Sequence, residues 1–244
     1  MSETLLSVRN LTKRFGNFTV TDEIDLSIGF KEVVGLIGPN GAGKTTLINI
    51  LSGFLPADKG RVIFRGEDIT NLPAYKIAGK GLVRSFQLPR PFCTLTLLSN
   101  CEVSIVQARD KYTSLGIDPK EIIDEVLQTL NLSEKKSLYP SKLSSIDLKL
   151  LEFCRALLMK PDLLLLDEPF VGMSLQEAKK VRALIDKYIV NDGGSVLIVE
   201  HNIPVVKAIC DRLIVMNLGK IIADGKPVEV LQKPDVIAAY FGTD

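Results

Sequence analysis

Gly38-Pro39-Asn40-Gly41-Ala42-Gly43-Lys44-Thr45 constrains this chain more than any other stretch of it. It follows at once on Val33-Val34-Gly35-Leu36-Ile37, an unbroken apolar run. Such a run suits a strand covered on both faces, as in parallel sheets flanked by helices. Thr45 to Ser52 then reads as a helix, with Gly53 as its stop. A strand, a glycine loop and a helix in that order form an anion cradle. The glycines let backbone N–H groups wrap a phosphate chain, and the helix N-terminus adds partial positive charge. Lys44 is placed to reach the β- and γ-phosphates, and Thr45 to coordinate Mg²⁺.

Two further strands end in residues that suit phosphate chemistry. Leu163 to Leu166 runs into Asp167-Glu168, and Ser195 to Glu200 runs into His201, the single histidine of the chain. Ligands of open α/β sheets bind at the carboxyl ends of the strands. There Asp167 is expected to hold Mg²⁺ through its water shell, and Glu168 to polarise an attacking water as general base. An imidazole at His201 can hydrogen-bond a γ-phosphate and sense its loss. Gln87 lies in Arg84-Ser85-Phe86-Gln87-Leu88-Pro89-Arg90-Pro91-Phe92, where two prolines stiffen the chain behind it. Its amide suits Mg²⁺ or the attacking water, although by itself it reads as a loop residue.

The rest of the chain arranges itself around this core. Leu6-Val8-Leu11 and Ile24-Leu26-Ile28 alternate like antiparallel strands, and Arg61 to Phe64 is another short strand turning at Gly66. Asp118-Pro119-Lys120-Glu121 is a helix start, followed by Ile122, Ile123, Val126, Leu127 and Leu130 on one face. Ser144 caps another helix, with Leu148, Leu151, Cys154, Leu157 and Leu158 inward and Pro161 at its end. Residues 89–160 thus read as a helical insertion between two parts of an α/β core, about 1–88 and 161–244. A helix over about 175–190 follows, then a hairpin around Asn217-Leu218-Gly219-Lys220.

Composition excludes several alternatives. The net charge is +1, which gives no basis for broad attraction to nucleic acid or lipid. Cys93, Cys101, Cys154 and Cys210 form no C-x-x-C pair, and one histidine cannot complete a zinc cluster. Buried or half-buried free thiols in a reducing compartment are expected. No apolar run is long enough to span a bilayer, since the stretch around Leu95 to Val106 is broken by Asn100 and Glu102. The N-terminus lacks the pattern of a secretory signal. A cytosolic chain that reaches membranes through partners is expected.

In order along the chain, these elements resemble the ATP-binding subunit of an ABC transporter. In that resemblance Gly38 to Thr46, Thr46 included, is the Walker A segment, Gln87 the Q-loop, and Leu163 to Glu168 the Walker B with its catalytic glutamate. Val171-Gly172-Met173-Ser174 sits at the D-loop and His201 is the switch histidine. Phe15 resembles the aromatic that stacks on adenine, with Val20 packing beside it. The implied fold is a P-loop NTPase core of ABC-ATPase type, with an N-terminal antiparallel β subdomain and an inserted helical subdomain. A narrower resemblance is to the ATPases of branched-chain amino acid importers. It is carried by the phosphate loop, Asp68 to Pro73, Val83 to Phe92, Val199-Glu200-His201-Asn202 and the final Ala239-Tyr240-Phe241-Gly242.

That resemblance implies an ATPase with ATP and Mg²⁺, peripheral on the cytoplasmic face of the membrane. Its partners would be membrane-spanning subunits, a second ATPase chain and, indirectly, an extracytoplasmic binding protein; no nucleic acid is implied. Export and a weakly hydrolysing regulatory subunit are the alternatives. The Q-loop region would contact a helix of the membrane subunit. The apolar residues near Phe92 and Leu95 to Leu98 read either as that dock or as subdomain core.

The segment Leu143-Ser144-Ser145-Ile146-Asp147 departs from the LSGGQ-like signature of that family. There each ATP lies between one chain's Walker A and the other chain's signature. Ser144 is kept, but Ile146 adds bulk where backbone approaches phosphate. Asp147 brings a carboxylate toward an anion, which is repulsive unless Mg²⁺ or a lysine compensates. Alternatively, Asp147 completes a capping box with Ser144. At the D-loop, Ser174 replaces Asn or Asp. The expectation is an asymmetric heterodimer whose working site uses this chain's Lys44, Glu168 and His201 against an intact partner signature.

Overall fold

In the computed structural model, which describes residues 4–241, the chain opens with two long antiparallel strands, β1 (Thr4–Phe15) and β2 (Phe18–Gly29). Their alternating residues Leu6, Val8, Leu11, Ile24, Leu26 and Ile28 are all buried. The chain continues through β3 (Val33–Ile37) and α1 (Lys44–Leu51) to β4 (Lys59–Phe64) and β5 (Glu67–Asp68). The first sheet is antiparallel, in the order β2-β1-β4-β5. After α2 (Ala74–Gly79) and β6 (Leu82–Arg84) come four helices: α3 (Leu97–Gln107), α4 (Arg109–Leu115), α5 (Pro119–Thr129) and α6 (Ser145–Leu158). The α/β pattern then resumes with β7 (Leu163–Asp167), α7 (Leu175–Ile185), β8 (Ser195–Val199) and α8 (Ile203–Ile209). A hairpin, β9 (Arg212–Asn217) and β10 (Lys220–Gly225), and two short helices, α9 (Pro227–Val230) and α10 (Pro234–Phe241), complete the described chain. Gly242, part of the narrower resemblance, lies outside the described residues.

The second sheet has the order β10-β9-β3-β8-β7-β6. β6, β7, β8, β3 and β9 are mutually parallel, and β10 alone runs antiparallel at the edge. Every residue of β3, β7 and β8 is buried, which explains why these strands carry no polar alternation. Successive side chains go to opposite cores. Leu164 and Leu166 of β7, with Val196 and Ile198 of β8, pack with the helical side of the molecule. Leu163, Leu165, Leu197 and Val199 pack with α1 and the antiparallel sheet. Burying one such side chain contributes about 1.5–3 kcal/mol, so two-sided coverage makes this sheet the rigid platform of the molecule.

The helical stretch follows its local signals. The Asp118 side chain accepts from Lys120 N and Pro119 opens α5. Ile122, Ile123, Val126, Leu127 and Leu130 are buried as expected. On α6 the expected inward residue Leu148 is only half-buried, while Leu150 is buried. The helix packs against α3, α5 and β7, so its buried arc is wider than one stripe. Asn100 does not interrupt a surface. It is fully buried on α3, where its amide accepts from Phe92 N and donates to the carbonyls of Phe92, Leu95 and Thr96. Leu97 beside it is core and Leu95 and Leu98 are half-buried, so this stretch mainly packs into the interior; Phe92 stays exposed. Cys101, Cys154 and Cys210 are buried free thiols, but Cys93 is exposed. No helix among the described residues is long and apolar enough to cross a membrane.

Candidate functional site

Because β3, β6, β7 and β8 are parallel, the segments that follow them leave the sheet at the same edge. The glycine loop, Ser85-Phe86-Gln87, Glu168 and His201 are these segments. Gly38, with φ +151°, is seated so closely on β9 that an added Cβ would lie 2.1 Å from the Met216 carbonyl oxygen. At Gly43, φ +100°, a Cβ would lie 2.6 Å from the Val20 carbonyl oxygen. Only glycine combines that backbone with that closeness. Asn40 and Gly41 are exposed, Pro39 and Thr46 half-buried, and Ala42 buried.

Lys44 is buried, and its ammonium donates to the carbonyls of Gly38 at 2.7 Å and Pro39 at 3.0 Å. Burial pulls its pKa below the usual lysine value, with Glu168 and Asp167 opposing that shift. No side chain caps the N-terminus of α1, so its first-turn N–H groups stay available to an acceptor. Thr45 presents its side chain to solvent in that turn. A buried cation, an uncapped helix start and a glycine cradle together fit a polyphosphate.

The two acids of β7 have different surroundings. Asp167 is 3% exposed and its Oδ2 accepts from Arg84 Nη2 at 2.9 Å. Glu168 has φ +50°, a left-handed backbone uncommon for a non-glycine residue, and its N–H donates to the Val199 carbonyl. That turn aims its carboxylate at the loops beside it. Gln87 Nε2 donates to Glu168 Oε2 at 2.8 Å, and His201 Nδ1 lies 3.8 Å from Glu168 Oε1. Gln87, Glu168 and His201, far apart in sequence, form one polar string. The His201 side chain is 55% exposed, free to meet a ligand from solvent.

Phe15 stands exposed at the tip of the β1–β2 hairpin, with the Lys13 ammonium 5.6 Å from its ring centroid. Val20 is half-buried, its carbonyl against the glycine loop at Gly43.

In the segment Leu143 to Asp147, the Asp147 carboxylate is both part of a helix cap and paired with a lysine. Ser144 caps α6 by accepting from Asp147 N at 3.1 Å, and Asp147 Oδ2 accepts in return from Ser144 N at 3.1 Å. Lys135 Nζ meets both Asp147 oxygens, at 2.7 and 2.8 Å. The carboxylate is therefore turned into the protein and paired. Burial pushes the Asp147 pKa up, but the Lys135 and Ser144 hydrogen bonds outweigh it and hold the group below the usual carboxylate range. Ile146 packs toward Gly172, in the loop before α7. Ser174 caps α7 and shares a capping box with Glu177.

Three charged residues escaped the pattern reading. Arg84 joins β6 to Asp167, Lys135 pairs Asp147, and Glu200 is 1% exposed behind β8. Glu200 accepts from Phe170 N through Oε1 and from His201 N and Asn202 N through Oε2, tying the loop after β7 to the loop after β8. For Arg84 and Glu200 a signal existed: a charge at the end of an apolar strand must find a partner in the interior. For Lys135 there was none.

The glycine loop and acid pair on one parallel sheet edge, beside an antiparallel sheet and a helical region, define an ATP-hydrolysing cassette. A family model described as ABC transporter matches residues 21–171, and the chain belongs to that family. It is 36% identical to the high-affinity branched-chain amino acid transport ATP-binding protein BraF of Pseudomonas aeruginosa, over 99% of each chain. It is 35% identical to LivG, a protein of the same description from Escherichia coli, again over 99% of each. Its fold matches a nucleotide-free ATP-binding cassette from an ABC transporter with a TM-score of 0.83 and 33% identity, covering 99% of this chain and 100% of that one. The ADP conformation of MJ1267, another ATP-binding cassette of an ABC transporter, matches with a TM-score of 0.82 and 34% identity over 99% and 100% of the two chains. This chain is an ABC ATPase subunit.

Proposed function

We propose that this chain hydrolyses ATP to power import of branched-chain or other small hydrophobic amino acids through membrane-spanning partner subunits, at the cytoplasmic face of the membrane. The observation that carries the hydrolytic part is the convergence of Lys44, Gln87, Glu168 and His201 at one sheet edge. The substrate class rests on the names borne by BraF and LivG. Residues 1–88 and 161–244 act as the nucleotide-binding core, and 89–160 as the helical subdomain.

In this reading the loop from Gly38 to Thr46 cradles the phosphates and Lys44 balances their charge. Phe15 and Val20 receive the adenine. Glu168 takes the proton of the attacking water, a role worth about 10²–10⁴-fold in rate. Gln87 holds Glu168 in orientation, and His201 senses the γ-phosphate. The Thr45 hydroxyl, Gln87 and Asp167 would hold Mg²⁺, which would supply neutralisation of the phosphate charge.

The membrane subunit docks a helix on the apolar hollow lined by Phe54, Tyr75, Ala78, Leu82, Phe86 and Met159, next to the Gln87 segment. Phe54 is 54% and Tyr75 72% exposed there, an unusual display of aromatic surface. A second ATPase chain completes the nucleotide sites, and Ser144 is offered to its ATP. Ile146, bulky where backbone approaches phosphate, makes this chain's own signature the weaker one, so the heterodimer has one working site. The same residue favours a second reading, a regulatory subunit that binds ATP and hardly turns it over; Asp147, paired with Lys135, adds no charge to that weakness.

Hydrolysis measured for the chain alone, then with the second ATPase chain of its transporter, each against Glu168→Gln, tests this. Activity that appears only with the partner and is lost in the variant supports the heteromeric motor. Strong activity from the chain alone overturns the asymmetry. ATP binding without turnover in either mixture supports the regulatory reading.

A further inference from the structure

We propose that Arg84 is the positioning residue of Asp167: it holds one carboxylate oxygen in place and so leaves the other free for the hydrated magnesium ion of the bound nucleotide. The proposal rests on the reading of Asp167 as the magnesium acid. Asp167 Oδ2 accepts from Arg84 Nη2 at 2.9 Å, while Oδ1 accepts no hydrogen bond among the described residues. Both side chains are almost closed to solvent, at 8% and 3% exposure. An ionised carboxylate so buried requires a counter-charge.

Two cations are near Asp167, and they have separate tasks. Lys44 is committed to the Gly38 and Pro39 carbonyls of the phosphate loop. Arg84 is the one bonded to the acid.

The guanidinium is itself held on several sides. Nη1 donates to Asn49 Oδ1 at 2.6 Å and Ser52 Oγ at 3.1 Å, at the C-terminal end of α1. The rings of Phe54 and Phe86, which meet edge to face with centroids 5.4 Å apart, lie 5.7 and 5.5 Å from its central carbon. A planar fork fixed by two acceptors and two aromatic rings has one orientation to offer its carboxylate. Since Asn49 and Ser52 belong to the helix that begins at the phosphate loop, the fork also ties the aim of Asp167 to that helix. Outer partners of this kind are worth about 10–100-fold in metal affinity.

The test is calorimetric binding of the non-hydrolysable nucleotide AMP-PNP, in EDTA and in magnesium, by the wild-type chain and by Arg84→Met, Arg84→Lys and Asp167→Asn. The readout is the gain in affinity that magnesium confers. Arg84→Met is expected to reduce that gain about tenfold or more while the EDTA affinity holds. Arg84→Lys, which keeps the charge but not the fork, is expected to fall between, and it carries the test if Arg84→Met does not fold. A fall of equal factor in EDTA and magnesium would mean that Arg84 only supports the fold, and would overturn the proposal. An undiminished gain in both Arg84 variants, with Asp167→Asn losing it, overturns the role of Arg84 and leaves that of Asp167 standing. A full gain in Asp167→Asn removes the magnesium reading of Asp167 and the proposal with it.

Discussion

The Lys135 ammonium grips both carboxylate oxygens of Asp147, at 2.7 and 2.8 Å, just below the start of α6. Asp147 puts a carboxylate in the segment that the sequence expects to approach phosphate. The pair neutralises it, and the capping box with Ser144 turns it inward. The signature segment therefore keeps an orderly helix start despite its altered sequence.

That pair gives stability a defined dependence on pH. The folded-state pKa of Asp147 lies below the unfolded value of about 3.9. Its contribution is fully present above the unfolded value and is lost as pH falls through the lowered folded one. Lys135→Met is expected to cost about 1 kcal/mol or less near neutral pH, because the lysine is partly exposed. Urea unfolding at neutral and acid pH checks this: the gap between wild type and variant should close as Asp147 protonates.

Glu168→Gln removes the carboxylate that Gln87 and His201 flank. Turnover of the assembled ATPase is expected to drop about 100-fold or more, the loss typical of a general base. Nucleotide affinity should stay near wild type, since the phosphate loop is untouched. Steady-state hydrolysis together with nucleotide titration separates the two effects.

Glu200→Ala leaves three backbone N–H groups, those of Phe170, His201 and Asn202, without their acceptor. The Phe170 N–H is buried, and an unsatisfied buried donor costs about 1–3 kcal/mol, so a fall in Tm is expected. Turnover should fall too, because His201 loses the anchor of its loop. Glu200→Gln, which retains one carbonyl acceptor, should recover part of both. Thermal unfolding and hydrolysis of the pair of variants would show it.

Tyr75→Ser is expected to weaken assembly with the membrane subunits while leaving the unfolding free energy within about 0.5 kcal/mol of wild type, as for exposed positions generally. Co-purification with the membrane subunits provides the measure. Undiminished assembly in Tyr75→Ser combined with Phe54→Ser would move the dock away from this hollow.

A single alanine at Gly38 tests the seat of the phosphate loop. Its Cβ would meet the Met216 carbonyl at 2.1 Å, on a backbone that favours glycine. Loss of nucleotide binding is expected along with lowered stability, read by titration and thermal unfolding of the same sample.

The local elements could be read in the sequence because each carries its own cause. Apolar runs without alternation marked β3, β7 and β8; alternation marked β1 and β2; Asp118-Pro119 and Ser144 marked the starts of α5 and α6. Lys44, Asp167, Glu168 and His201 could be placed at one edge because parallel strands must deliver their C-terminal ends there. Less could be said of Leu148, whose exposure depends on how many neighbours surround α6, or of the stretch around Asn100, polar in sequence yet fully buried in α3.

What the sequence determined by itself was the chemistry of the strand ends, since residue type, strand direction and the glycine backbone are local properties. Only the tertiary structure decided how the charges are shared: Arg84 with Asp167, Lys135 with Asp147, and Glu200 with three N–H groups of two loops. Such pairings form between segments up to 83 residues apart. They arise because a buried charge must find a partner wherever packing brings one, and no local pattern records which partner that is.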